Sequence, residues 1–133
     1  MFKEAVYAPG TTPGASAYSP ALTVEVGDCK MIYLTGQTSI DQKGEVVCPG
    51  DVAGQTEHAF KLAEELLRAA GAGLKDVVKA QIFLTDINDY PQVAPVRNKY
   101  FAENRPVSTI VAVNALTTPG CKVELDLVAM VKK

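Results

Sequence analysis

Polar and apolar positions divide the chain into segments of two periods. "ALTVEV" (21–26) and "KMIYLTG" (30–36) alternate like half-buried strands, and the Gly27-Asp28 stretch between them predicts a hairpin. "DQKG" (41–44) reads as a polar turn. From Asp51 to Ala70 the period becomes helical. Ala59, Leu62, Ala63, Leu66, Leu67 and Ala70 form one stripe, with Asp51 placed as N-cap and Gly71 as C-cap. Glu57–Lys61 and Glu64–Arg68 fall at i,i+4 on the opposite side. Strand chemistry returns over "DVVKAQIFLTD" (76–86). Residues 92–103 form a second helix through Val93, Val96 and Tyr100, and Pro91 and Pro95 leave its start open. "PVSTIVAVNAL" (106–116) and "CKVELDLVAMV" (121–131), joined by "TTPG", are the last strands.

The order ββ(β)-α-β-α-β-β predicts one α+β domain over residues 1–133, a mixed sheet with two helices on one face. Two helices leave the other face bare, yet residues 106–116 are largely apolar on both sides. Val107, Thr109, Val111 and Val113 share one face; Ser108, Ile110, Ala112 and Asn114 share the other. Such a strand predicts an oligomer packed sheet to sheet. The last strand puts Val123, Leu125, Leu127, Ala129 and Val131 on one face and Glu124, Asp126, Val128 and Met130 on the other. Two carboxylates are thereby expected near a subunit interface.

Composition narrows the chemistry. At 133 residues and 47% apolar content the chain can build a core, and a formal charge of −2 offers no basic field to nucleic acid or anionic lipid. No apolar run approaches the roughly 20 residues of a membrane span. The N-terminal "MFKEAVYAPG" lacks the apolar centre of a signal peptide, so the expected location is the cytoplasm. Cys29, Cys48 and Cys121 form no CxxC pair, and His58 is the only histidine, which argues against a zinc or histidine-rich site. There is no GxSxG, GxGxxG or GxxxxGK[ST]. The Pro- and Gly-rich loop "APGTTPGASAYSP" (8–20) carries Tyr18, equally readable as cover for a core edge or as a functional aromatic.

Several stretches, in order, resemble the RidA/YjgF family (L-PSP, the reactive-intermediate imine deaminases): "SAYSPA" (16–21), "YLTGQTSID" (33–41), "KGEV" (43–46), "AAGAGLKDVVKAQIFLTDINDY" (69–90), "RPVSTIVAV" (105–113) and "KVELDLVAM" (122–130). The resemblance implies a chorismate-mutase-like fold with a six-stranded sheet, assembled as a homotrimer with a small-molecule pocket in each cleft between subunits. It also implies hydrolysis of reactive 2-imino or enamino acids to keto acids and ammonia, without a cofactor. Carried over by position, the family's loop Tyr falls on Tyr18, its hydroxyl residue before Gly-Gln on Thr35, the next glycine on Gly36 and its turn asparagine on Asn88. The water-activating glutamate falls on Glu124, while Asp126 receives no catalytic role.

One position departs from the pattern. Where the imine-hydrolysing members read Pro-x-Arg-[Ser/Thr], this chain reads Pro106-Val107-Ser108-Thr109, and a position often held by Cys is Ile110. The arginine clamps a substrate carboxylate through a charged hydrogen bond of roughly 1.5–3 kcal/mol, so a serine in its place weakens a 2-imino acid roughly ten- to a hundredfold. On an extended strand Arg105 would lie roughly 10 Å from position 108 and on the opposite face; Arg97 and a neighbouring subunit are the other sources of a guanidinium. Two further readings stand beside the hydrolase. One is a non-catalytic trimeric module binding a metabolite or protein. The other is an endoribonuclease, an activity ascribed to some L-PSP proteins, for which the acidic chain offers no aromatic RNA platform.

Overall fold

The computed structural model describes residues 2–133. Six strands stand side by side in the order β1 (Lys3–Val6), β2 (Ala21–Val26), β3 (Cys29–Leu34), β7 (Val123–Lys132), β5 (Val77–Leu84), β6 (Val107–Ala112). The two-residue β4 (Gln37–Thr38) adds a second contact to β7. Every pairing is antiparallel except β5 with β6, which run parallel around helix α2 (Tyr90–Phe101). The sixth strand was expected in the segment after Gly36. That segment yields only β4, and the N-terminal strand β1 completes the row by pairing with β2.

Helix α1 (Val52–Ala69) begins and ends as its sequence directs. The Asp51 side chain accepts the Gly54 amide at 3.0 Å. At the other end Gly71 takes φ +86°, and the amides of Ala72 and Gly71 bond the carbonyls of Leu67 and Arg68, a Schellman closure. The stripe is buried at Ala59, Ala63, Leu66, Leu67 and Ala70, with Leu62 half-buried, and the buried face widens to Val52, Gln55, Thr56 and Phe60. Of the two expected ion pairs, Arg68–Glu64 forms at 3.5 Å. Glu57 instead reaches across to α2, where Lys99 and Tyr100 donate to it; this partner outcompetes Lys61 because two donors converge there. Pro91 lies in the first turn of α2, where no amide hydrogen bond is lost, so the helix starts at Tyr90.

Register divides the sheet into two faces. Ala80, Ile82 and Leu84 on β5 and Val123, Leu125, Leu127 and Ala129 on β7 are buried under the helices. The alternate positions form a bare face on which Tyr33, Val107, Val111 and Met130 expose 46%, 68%, 38% and 39% of their surface. A monomer has little reason to leave that much apolar surface in water on one sheet face.

Candidate active site

Glu124 stands on the bare face, opposite Phe83 of β5 and Thr38 of β4. Gly36, on the link into β4, brings the main chain against it: a Cβ at position 36 would lie 2.6 Å from Glu124 Oε2. Any side chain at position 36 would therefore displace the carboxylate. Phe83, Val113, Leu116, Thr117 and Glu124 line a shallow cavity of about 230 Å³. Burial raises the Glu124 carboxyl above the ordinary carboxylate range, and the charge of Asp126, two residues along the same face, raises it further. A half-buried carboxylate held in this way is suited to taking and returning a proton.

Thr35 ties the N-terminal loop to this region. Its amide bonds Pro20 O at 2.8 Å and its hydroxyl donates to Ser19 O at 2.7 Å, which fixes the residues after Tyr18. Tyr18 itself is 66% exposed and lines a different cavity of about 290 Å³, against Tyr7, Gln37, Leu62 and Leu66. Within one chain, Tyr18 and Glu124 do not share a cavity.

The remaining candidates lie elsewhere. Ser108 and Ile110 pair with Ala80 and Ile82, so their side chains point to the helix side of the sheet, opposite Glu124. Ile110 packs against the core, whereas Ser108 is exposed on the edge strand. Asn88 is exposed in a 3-10 turn (Ile87–Asp89) before α2, where its amide donates to Asp86 Oδ1 at 2.9 Å. Its neighbour Asp89 pairs with Lys122 at 3.6 Å, which holds the turn to the start of β7. The chain thus carries two partial sets, one around Glu124 and one around Ser108, on opposite faces.

The surroundings of Ser108 correct one expectation. Arg105 does not belong to the strand, because β6 starts at Val107. Arg105 takes φ +47° and its amide closes the end of α2 on Phe101 O at 3.0 Å. This turn brings Arg105 to the cavity that Ser108 lines, a concavity of about 480 Å³ which Arg97 and Asn98 also border. Extended-strand spacing could not anticipate that, because the left-handed residue reverses the direction of the chain. His58 is half-buried, with Nδ1 3.3 Å from Ser39 Oγ. Among the described residues no cluster of His, Cys, Asp and Glu could hold a metal ion, and no helix is long and apolar enough to cross a membrane.

A single helix-backed mixed sheet with a parallel β5–α2–β6 unit is the fold of the YjgF class of proteins. The chain belongs to the Endoribonuclease L-PSP family, whose sequence model matches residues 10–131. It is 37% identical to the 3-aminoacrylate deaminase RutC of Acinetobacter baylyi over 131 residues, covering 98% of this chain and 100% of the relative. It is 35% identical over 114 residues to the 2-iminobutanoate/2-iminopropanoate deaminase of Rattus norvegicus, covering 86% and 80%. Among solved structures, a Mycobacterium tuberculosis member of the YjgF/YER057c/UK114 family superposes with TM-score 0.79 at 33% identity, covering 97% of this chain and 99% of the other.

Proposed function

We propose that this protein is a deaminase of small reactive imines or enamines, hydrolysing them to a carbonyl compound and ammonia. The observation that carries the reading is the Glu124 carboxylate, half-buried on the bare sheet face, pressed by Gly36 and raised in pKa by burial and Asp126. The deaminase names of the relatives in Acinetobacter baylyi and Rattus norvegicus support the same reaction class.

The chemistry asks little more of the protein than position. Ionised Glu124 accepts a proton from a water while the water oxygen bonds the C=N carbon. An enamine first tautomerises to the imine. The proton passes from Glu124 to nitrogen as the carbinolamine forms; the hydroxyl proton is then carried by Glu124 to the same nitrogen, and the C–N bond breaks as C=O forms, releasing ammonia. The imine carbon is already electrophilic, so no cofactor is needed, and general acid–base help of this kind contributes roughly 10²–10⁴-fold.

The assembly we propose is a homotrimer in which the bare faces pack together. Because Glu124 and Ser108 lie on opposite sides of one sheet, the two sets can serve one substrate only where the β6 edge of one copy meets the Glu124 face of another. Tyr18, Thr35, Gly36 and Glu124 would come from one subunit, and Asn88, Ser108 and Ile110 from its neighbour. The test is to generate 2-iminobutanoate enzymatically and follow its loss. Hydrolysis above the spontaneous rate by the wild type, and not by Glu124→Gln, is expected. A spontaneous rate with the wild type would point instead to a binding module.

A further inference from the structure

One lysine stands on the bare face although the alternation of its own strand would bury it. Val77 of β5 faces the core opposite Ala129, and on strict alternation Lys79 would face the core as well. A β-bulge between Val77 and Lys79 inserts one residue, so Val78 and Lys79 are both exposed before Ala80 returns to the core. Lys79 is thereby turned out between Val107 of β6 and Val128 of β7, its two register partners. The bulge sets a cation into the apolar face that the proposed assembly buries.

Asp126 is the nearest acid by register. It lies opposite Gln81, while Lys79 lies opposite Val128, which makes Lys79 and Asp126 diagonal neighbours on one face. Such neighbours are roughly 7–8 Å apart, within reach of a lysine side chain. Among the described residues neither forms an ion pair, whereas Lys99, Lys122 and Lys133 each do. In an open chain the pair has little cause to form, because exposed charges gain little over hydration. Packing the bare faces together changes the balance. Each charge loses water, and a buried charge left unpaired is costly. The stem of Lys79 then lies along Val107 and Val128 while its ammonium reaches the carboxylate. Asp126 in turn stands two residues from Glu124 on the same face of β7.

We infer that Lys79 is a positioning residue: on assembly it pairs with Asp126, fixes the packing of the bare faces and offsets the negative charge beside Glu124. This role rests on the homotrimer and the deaminase chemistry proposed above. The charge of Asp126 raises the Glu124 carboxyl, so a paired Asp126 raises it less and leaves more of the base ionised. The other groups on the face do not compete for Asp126. On the bare side β1 carries Lys3, β3 carries Cys29 and Tyr33, and β7 carries Lys132 besides its two acids. Cys29 and Lys132 pair at the end of β7 away from Glu124, and Lys3 lies on the edge strand. Tyr33 is opposite Val128, and β2, β4 and β6 present no titratable side chain on this side. Lys122, just before β7, is held by Asp89.

The experiment measures assembly by sedimentation, and the pH profile of 2-iminobutanoate hydrolysis, for the wild type, Lys79→Met, Asp126→Asn and the double variant. Lys79→Met leaves a carboxylate unpaired, so the acid limb of kcat/KM should rise by roughly half to one pH unit. Asp126→Asn leaves a cation unpaired, so the limb should fall by a similar amount. Each single change should raise the trimer dissociation constant roughly tenfold or more at neutral pH. The double variant removes both charges and should return the limb and the assembly close to wild type. Lys79→Arg keeps the charge and should keep the wild-type limb. An acid limb unmoved by Lys79→Met, or a double variant whose assembly defect is the sum of the two single defects, would overturn the proposal. A wild type that hydrolyses no imine would remove the deaminase reading, and the pairing would stand or fall on whether the double variant restores assembly. A monomeric wild type would overturn the pairing together with the homotrimer.

Discussion

A side-chain carbon added at Gly36 would stand 2.6 Å from Oε2 and 2.7 Å from Cδ of Glu124. Only glycine lets the chain pass so near the carboxylate. The clash involves the mobile end of a side chain, so Gly36→Ala should fold and Glu124 should yield. We expect kcat for 2-iminobutanoate to fall tenfold or more, since a displacement of about 1 Å can cost up to about 10²-fold. Stability in urea should change by less than about 1 kcal/mol. An unchanged kcat would show that Glu124 is not held in its working position by Gly36.

The raised pKa of Glu124 has a direction that can be tested. Burial, then Asp126, favours the protonated form, so the base is lost at a higher pH than for an ordinary carboxylate. The acid limb of kcat/KM should therefore lie above the ordinary Glu value of about 4.3, and Asp126→Asn should move it down. For stability the sign is opposite to that of a salt-bridged acid. The folded state binds the proton more tightly, so this contribution is present at low pH and lost as pH rises through the folded-state pKa. Glu124→Gln should gain stability over wild type at neutral pH, and the gap should close in acid.

The junction of the two helices makes a separate prediction. Tyr100 donates to Glu57 Oε2 at 2.6 Å and stacks on Phe60 with centroids 4.6 Å apart. Burial, then the bond to Glu57, pushes its hydroxyl up to about 12. The bonds from Lys99 and then Tyr100 hold Glu57 below its usual range. Tyr100→Phe keeps the ring and removes one donor. It should cost about 1–2 kcal/mol by urea denaturation, with no effect on imine turnover. The loss should shrink in acid as Glu57 protonates.

Much of the fold was legible because its signals are local. Alternation over 21–26 and 30–36 and the 3.6-residue stripe after Asp51 report burial directly, and Asp51 and Gly71 act as the caps their chemistry allows. The N-terminal strand was missed because Lys3–Val6 is mostly exposed and takes its order from β2. Glu57 was assigned to Lys61 because the i,i+4 rule knows nothing of a second helix. The division of the site residues between two sheet faces also lay outside local pattern, since it depends on which strand pairs with which. Arg105 was hidden for a different reason: it stands before β6, which starts at Val107, in a left-handed turn that extended-strand spacing does not describe.

If the two sets come from different subunits, defects in them should complement. Glu124→Gln and Ser108→Trp, which fills the other set with a bulky ring, should each be nearly inactive. After the two are unfolded together and refolded, mixed trimers contain clefts with both halves intact. Turnover should reappear to a substantial fraction of wild type. Continued inactivity in a confirmed mixed oligomer would place both sets in one chain's site or exclude one of them.

The most direct measurement is the hydrolysis of enzymatically generated 2-iminobutanoate by wild type and Glu124→Gln, compared at neutral pH with the uncatalysed rate. The wild type should hydrolyse it well above that rate, and Glu124→Gln should lose about 10²–10⁴-fold while keeping its fold and oligomeric state. Equal rates for the two proteins would contradict the assignment of Glu124 as the base.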